Sequence, residues 1–195
     1  MIDISMALSQ LRNVISITVL AVRNECKEVL FLCSKETTNS STIYHCVNIK
    51  TDSSVDKLSF LKETETGLSI PYSQTIEKYI YDPNVSLLKG GAFKTVAHKY
   101  NVSKLHRNTH LYTSSEIVKD FPGRVFQVIK ELRPSTKNIT DDLPDGKAHV
   151  ITRNYPISSQ ELQKKLRLKE GGELFVIGLT KHDEKKALLL CSKVE

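Results

Sequence analysis

What the chain lacks narrows it first. No apolar run approaches the ~20 residues that a membrane-spanning helix needs. Met1 is followed by Ile-Asp-Ile, not by a basic stretch ahead of an apolar core, so no secretory leader is expected. The four cysteines (Cys26, Cys33, Cys46, Cys191) form no Cys-x-x-Cys pair and no zinc-like spacing with histidine. Cys33 and Cys191 lie in the apolar runs LFLCS and LLLCS and are expected to be small buried hydrophobes in a reducing compartment. The cytoplasm is the expected location, with no membrane partner. There is no Gly-x-Ser-x-Gly nucleophile motif. There is also no glycine-rich strand-to-helix turn followed by an acidic residue, which a dinucleotide or S-adenosylmethionine site would need. Gly90-Gly91 and Gly171-Gly172 read instead as helix stops.

What is present is an ordinary globular composition with uneven charge. The 195 residues are 39% hydrophobic and 26% charged, with a net charge of +6, enough for one domain or two small ones. Residues 79–133 hold nine Lys and Arg against four Asp and Glu, a surplus of five out of the chain's +6. A concentrated surplus fits a surface that meets a polyanion such as nucleic acid. Lys94, Lys99, Lys104, Arg107, His106 and His110 are interleaved with Tyr100 and Tyr112, a mixture suited to phosphate contact and base stacking. The competing explanation is a solvated face whose lysines confer solubility. His98, His106 and His110 are spaced by eight and four with no acidic or Cys partner alongside, and are not expected to bind metal.

Periodicity predicts a helix over 3–12 with Asp3 as cap, then two apolar strands, 14–22 and 28–34, around a polar break. A hairpin this apolar needs a larger sheet and covering helices, which suggests a missing upstream portion. Strands are expected at 42–50 and 57–62, a linker at 63–75 and a short strand at 78–82. Asp82-Pro83-Asn84 reads as a turn that opens a helix. Helical pieces follow at 84–90 and 92–100, then strands at 109–114 and 123–132 and a loop over 133–147. The last segments read as strand 149–156, helix 159–168 and a hairpin of 173–180 with 185–194, a compact α+β unit.

Several phrases, in this order, resemble one bacterial family: Val22 to Glu28, Tyr81-Asp82-Pro83-Asn84, Gly91-Ala92-Phe93-Lys94, Leu105-His106, Leu111 to Ser114, Phe121-Pro122-Gly123-Arg124, and Arg153-Asn154-Tyr155-Pro156. They are similar to class I S-adenosylmethionine-dependent methyltransferases that end in a ferredoxin-like and a THUMP-like domain. The resemblance implies a mixed α+β and α/β chain in three parts. Residues 1–62 would be the end of the methyltransferase domain, a sheet finishing in a β-hairpin. Residues 76–120 would be the ferredoxin-like domain and 121–195 the THUMP-like domain. Because THUMP domains bind RNA, the resemblance implies a tRNA or rRNA partner. Lys94, Lys104, Arg107, His110, Arg124 and Arg153 are the candidate RNA-binding residues. The family uses S-adenosylmethionine, but no position here matches its cofactor or catalytic motifs, so this chain is expected to hold no cofactor and to be inactive alone. It would be the C-terminal half of a longer enzyme. The alternative is an interaction module that pairs with a separately encoded methyltransferase half.

Overall fold

The structure, a computed structural model, describes residues 3–36, 41–132, 139, 142, 143 and 145–194. Most of the loop expected at 133–147, part of the one at 35–41, and Arg133 of the basic stretch lie outside the described residues. The chain divides into two units, Met1–Ile70 with Pro83–Asn101, and Pro71–Asp82 with Val102–Glu195.

The first unit opens with helix α1 (Ile4–Gln10), capped as expected by Asp3, whose Oδ1 accepts the Met6 N–H at 3.0 Å. Strands β1 (Val14–Val22) and β2 (Glu25–Cys33) form an antiparallel hairpin. The polar break shrinks to two residues. Arg23 and Asn24 both take left-handed backbone, φ 52° and 60°, the conformation that matches a two-residue turn to strand twist. The hairpin does find a sheet within this chain. β3 (Ile43–Ile49) pairs parallel to β1, and β4 (Val55–Leu61) pairs antiparallel to β3, in the order β2-β1-β3-β4. One face buries Ile17, Val19, Ala21, Tyr44, Cys46, Leu58 and Phe60. Helix α3 (Val85–Gly90) packs on that face, closely enough that a Cβ on Gly90 would stand 2.4 Å from Cys46 Sγ. Gly91, at φ 76°, then ends the helix.

Asparagines join the hairpin tip to the start of α3. Asn24 Oδ1 accepts from Val85 N at 2.8 Å, and Asn24 N donates to the buried Asn48 Oδ1 at 3.0 Å. Asn84 caps the helix by accepting from Ser86 N and Leu87 N. The Asp-Pro-Asn sequence does open a helix. The stretch expected to be a linker contains helix α2 (Lys62–Gly67). Its buried Glu65 accepts the Lys94 and Thr95 N–H groups, both at 2.7 Å. That carboxylate supplies the N-terminal cap that Ala92 cannot give helix α4 (Phe93–Tyr100). Asn101, at φ 50°, closes α4 as its sequence suggests.

The second unit is a seven-stranded sheet made of β5 (Tyr79–Pro83), β6 (Ser103–Lys104), β7 (Tyr112–Ser114), β8 (Gly123–Leu132), β9 (His149–Arg153), β10 (Leu174–Thr180) and β11 (Lys186–Val194). Their order is β6-β7-β5-β8-β11-β10-β9. The apolar runs of β10 and β11 are continuous because both faces are covered. Ile177, Leu179, Ala187, Leu189 and Cys191 point into one core with Ile80, Leu105, Leu111 and Phe126. Val176, Leu188 and Leu190 point into the other, with Leu162, Leu166 and Leu168. Helix α5 (Ser159–Lys165) covers this second face, and a Cβ on Gly178 would meet Leu162 Cδ2 at 3.0 Å. Ser158 and Glu161 form a reciprocal capping box at its start. The helix ends at Leu166, ahead of Gly171-Gly172, with Arg167 in left-handed backbone.

The segment expected to be ferredoxin-like contributes to both units. Its strands β5, β6 and β7 join the second unit, and its helices α3 and α4 belong to the first. Cys33 is exposed, not buried, because it stands on the edge strand β2, whereas Cys46 and Cys191 are buried. Burial pushes both of those thiols up to about 12, Cys46 with added repulsion from Glu65. Among the described residues no helix is long and apolar enough to cross a membrane.

Candidate nucleic-acid interface

The second unit gathers its charge around one buried carboxylate. Asp82 ends the apolar strand sequence Tyr-Ile-Tyr and is only 2% exposed. An ionised group there requires paired, hydrogen-bonded partners. Arg124, at the start of β8, donates to Asp82 Oδ2 from Nε at 3.2 Å and from Nη2 at 2.5 Å. Arg153, at the end of β9, donates from Nε to Oδ1 and from Nη2 to Oδ2, each at 3.1 Å. One negative charge thus fixes two guanidiniums whose side chains remain 35% and 32% exposed. The site is a net cation, preorganised by an anion beneath it.

The positive charge continues beyond Arg153. His110 lies among Lys104, Arg153 and His106, and its pKa is pushed down to about 4, first by burial and then by those three neighbours. It is a neutral imidazole at pH 7, held in left-handed backbone at φ 53°. Lys104 is buried, and its ammonium donates to the Arg107 carbonyl. The guanidinium of Arg107 itself is on an exposed residue. His106 Nδ1 faces two donors, Asn108 N at 3.1 Å and Asn154 Nδ2 at 3.2 Å. Its proton is therefore assigned to Nε2, which donates to Glu184 at 2.9 Å. That bond holds the Glu184 carboxyl below its ordinary value. Thr109 completes the buried polar layer, its Oγ1 donating to the Thr180 carbonyl at 2.6 Å. A cavity of about 500 Å³ opens beside Arg124.

The six residues expected to meet RNA thus take different roles. Arg124 and Arg153 come together on Asp82. Arg107 is exposed nearby through Lys104, which is itself an interior structural lysine. His110 is neutral and half-buried, able to support or stack but not to neutralise a phosphate. Lys94 belongs to the first unit, where its Nζ donates to the Thr66 carbonyl at 2.8 Å. Sequence reasoning missed Asp82, which it read only as part of a turn. The available signal was a lone acid in an apolar strand, which must have cationic partners once buried.

Residues 79–122 match a ferredoxin-like domain and residues 123–193 a THUMP domain-like family. The chain thus carries a ferredoxin-like domain followed by a THUMP-like domain. It is also similar to the crystal structure of a "putative methyltransferase" from Porphyromonas gingivalis W83, at 38% identity and a TM-score of 0.90. The match covers 100% of this chain and 49% of that one, so the chain spans about half the length of that protein. Its likeness is to the C-terminal half of such a methyltransferase. No curated protein matches the chain. The THUMP-like match begins at Gly123, the residue before Arg124, so Arg124 and Arg153 are THUMP-like residues and Asp82 is a ferredoxin-like one.

Among the described elements, the passages from strand to helix run from Leu61 into Lys62, through Pro83-Asn84, and through Asn154 to Ser158. None contains glycine.

Proposed function

We propose that this chain is the RNA-binding portion of an S-adenosylmethionine-dependent RNA methyltransferase. It would recognise and position tRNA or rRNA while another portion of the protein holds the cofactor and transfers the methyl group. The observation that carries this reading is the pair of guanidiniums fixed on Asp82 within the THUMP-like domain. The exposed Lys119 and Lys193 line the cavity beside Arg124, and the exposed Arg107 adds charge to the same unit. Fixed guanidiniums suit phosphate because little side-chain entropy is lost on binding. A cytoplasmic location and the absence of transfer by this chain alone belong to the same proposal.

The test is a titration with tRNA and rRNA fragments at about 50 and about 200 mM salt. Affinity should fall steeply between the two as counterions are released. No binding at the lower salt would sink the reading. Calorimetry with S-adenosylmethionine alone should show no heat, and tight binding would overturn the division of labour.

A second reading has its own observation. On the face of the four-stranded sheet away from α3, Leu30, Leu32, Ile43, Val55 and Leu61 are all exposed. Apolar patches of this kind mark interaction surfaces. The partner this reading names is a methyltransferase portion bearing the glycine-rich turn, and co-purification with it is the test. A chain that remains monomeric and binds no apolar dye would argue against it.

A further inference from the structure

We propose that the cavity beside Arg124 is a subsite for one nucleoside monophosphate unit, with the base against an apolar wall and the phosphate on the cationic rim. This rests on the reading of the second unit as an RNA-binding one. The wall is Ile117, Val118, Phe121, Val125 and Val194, and the rim is Lys119, Arg124 and Lys193. Its volume of about 500 Å³ falls within the ordinary range for small-molecule sites. Three cations against the single Asp120 leave a net positive rim, complementary to a phosphate. Lys119 and Lys193 have no ion-pair partner among the described residues.

The wall is held in place from beneath. Tyr81 is fully buried, and its hydroxyl accepts the Val118 N–H at 2.9 Å and donates to the Glu116 carbonyl at 3.0 Å. Its ring packs on Phe121 with centroids 4.9 Å apart. The next residue, Asp82, holds Arg124 by Nε and Nη2, which leaves Nη1 as the guanidinium nitrogen for a ligand. Gly123 N closes a tight turn onto the Phe121 carbonyl at 2.8 Å. Two neighbouring residues of β5 therefore set the apolar wall and the cationic rim. The base would contribute apolar contact and the phosphate charge, so neither a simple hydrocarbon nor inorganic phosphate would satisfy the site.

The experiment uses the full chain with two probes, uridine 5′-monophosphate and a short single-stranded oligouridylate. Binding is followed by amide chemical shifts and by fluorescence anisotropy. Both probes should shift the amides of 117–121, 123–125 and 193–194. Ile117→Glu, at an exposed position, should weaken the oligonucleotide by about tenfold. The double variant Lys119→Ala with Lys193→Ala should lower the salt slope by about 1.4. If only the free mononucleotide binds, the cavity is a nucleotide site and the RNA reading falls. If the oligonucleotide binds with the cavity amides unmoved and Ile117→Glu neutral, the subsite is refuted while RNA binding stands. Binding of neither probe overturns both.

Discussion

The two sheets treat their apolar residues differently. In the seven-stranded sheet, successive residues of β11 enter opposite cores, and Ala187 through Cys191 are all buried. In the four-stranded sheet one face is buried under α3, while the opposite face leaves Leu30 52%, Leu32 59% and Val55 55% exposed. A sheet covered twice draws its stability from within the chain. A sheet covered once keeps apolar area available to something else, at the cost of a smaller core of its own.

The largest expected effect falls on the covered sheet. Asp82→Ala leaves two arginines facing each other without their carboxylate and should destabilise the second unit by about 3–5 kcal/mol, read as a lower urea midpoint. If the midpoint does not move, the carboxylate is not the anchor described. Leu189→Ala empties a fully buried site and should cost about 2–5 kcal/mol by the same measurement. Its counterparts on the bare face, Leu30→Ser and Leu32→Ser, should each change stability by no more than about 0.5 kcal/mol while reducing apolar-dye binding. Comparable losses from both sets would erase the contrast between the sheets.

A pH scan separates the units in another way. Unfolded, His110 titrates near its ordinary 6.5; folded, at about 4. Between those values the unfolded chain takes up a proton that the folded one does not. The stability this imidazole contributes is therefore present above pH 6.5 and lost as pH falls toward 4. His110→Asn keeps a residue that tolerates left-handed backbone and should flatten that part of the profile. The smallest effect is chemical. Cys33 should react with a thiol reagent in the native protein, and Cys46 and Cys191 only after unfolding; equal rates for all three would contradict the burial described.

The sequence was most legible where local signals and tertiary context agree. The alternation in β8 and the unbroken apolar runs of β10 and β11 marked their strands. The Ser158–Glu161 box marked the start of α5. Helix α2 was illegible because its reason for existing lies 29 and 30 positions away, in the α4 amides that Glu65 caps. The apolar run ending at Cys33 suggested burial, yet burial depends on what covers an edge strand, and that is not encoded in the run. Arg124 and Arg153 were named from the family phrases. Their convergence on Asp82 spans separations of 42 and 71 residues, which no spacing rule reaches.

The division of the ferredoxin-like segment has a consequence for synthesis. The chain leaves the first unit at Ile70, enters the second until Asp82, returns with α3 and α4, and departs for good after Asn101. Neither unit is a continuous stretch of chain. On the ribosome, the four-stranded sheet must wait with both faces uncovered until α3 has emerged, and Asp82 must wait for Arg153. Newly made chain is thus exposed to misassembly over most of its length. A cut within 63–75 would strip the first unit of α3 and α4, and one between 120 and 121 would strip the second of β5, β6 and β7.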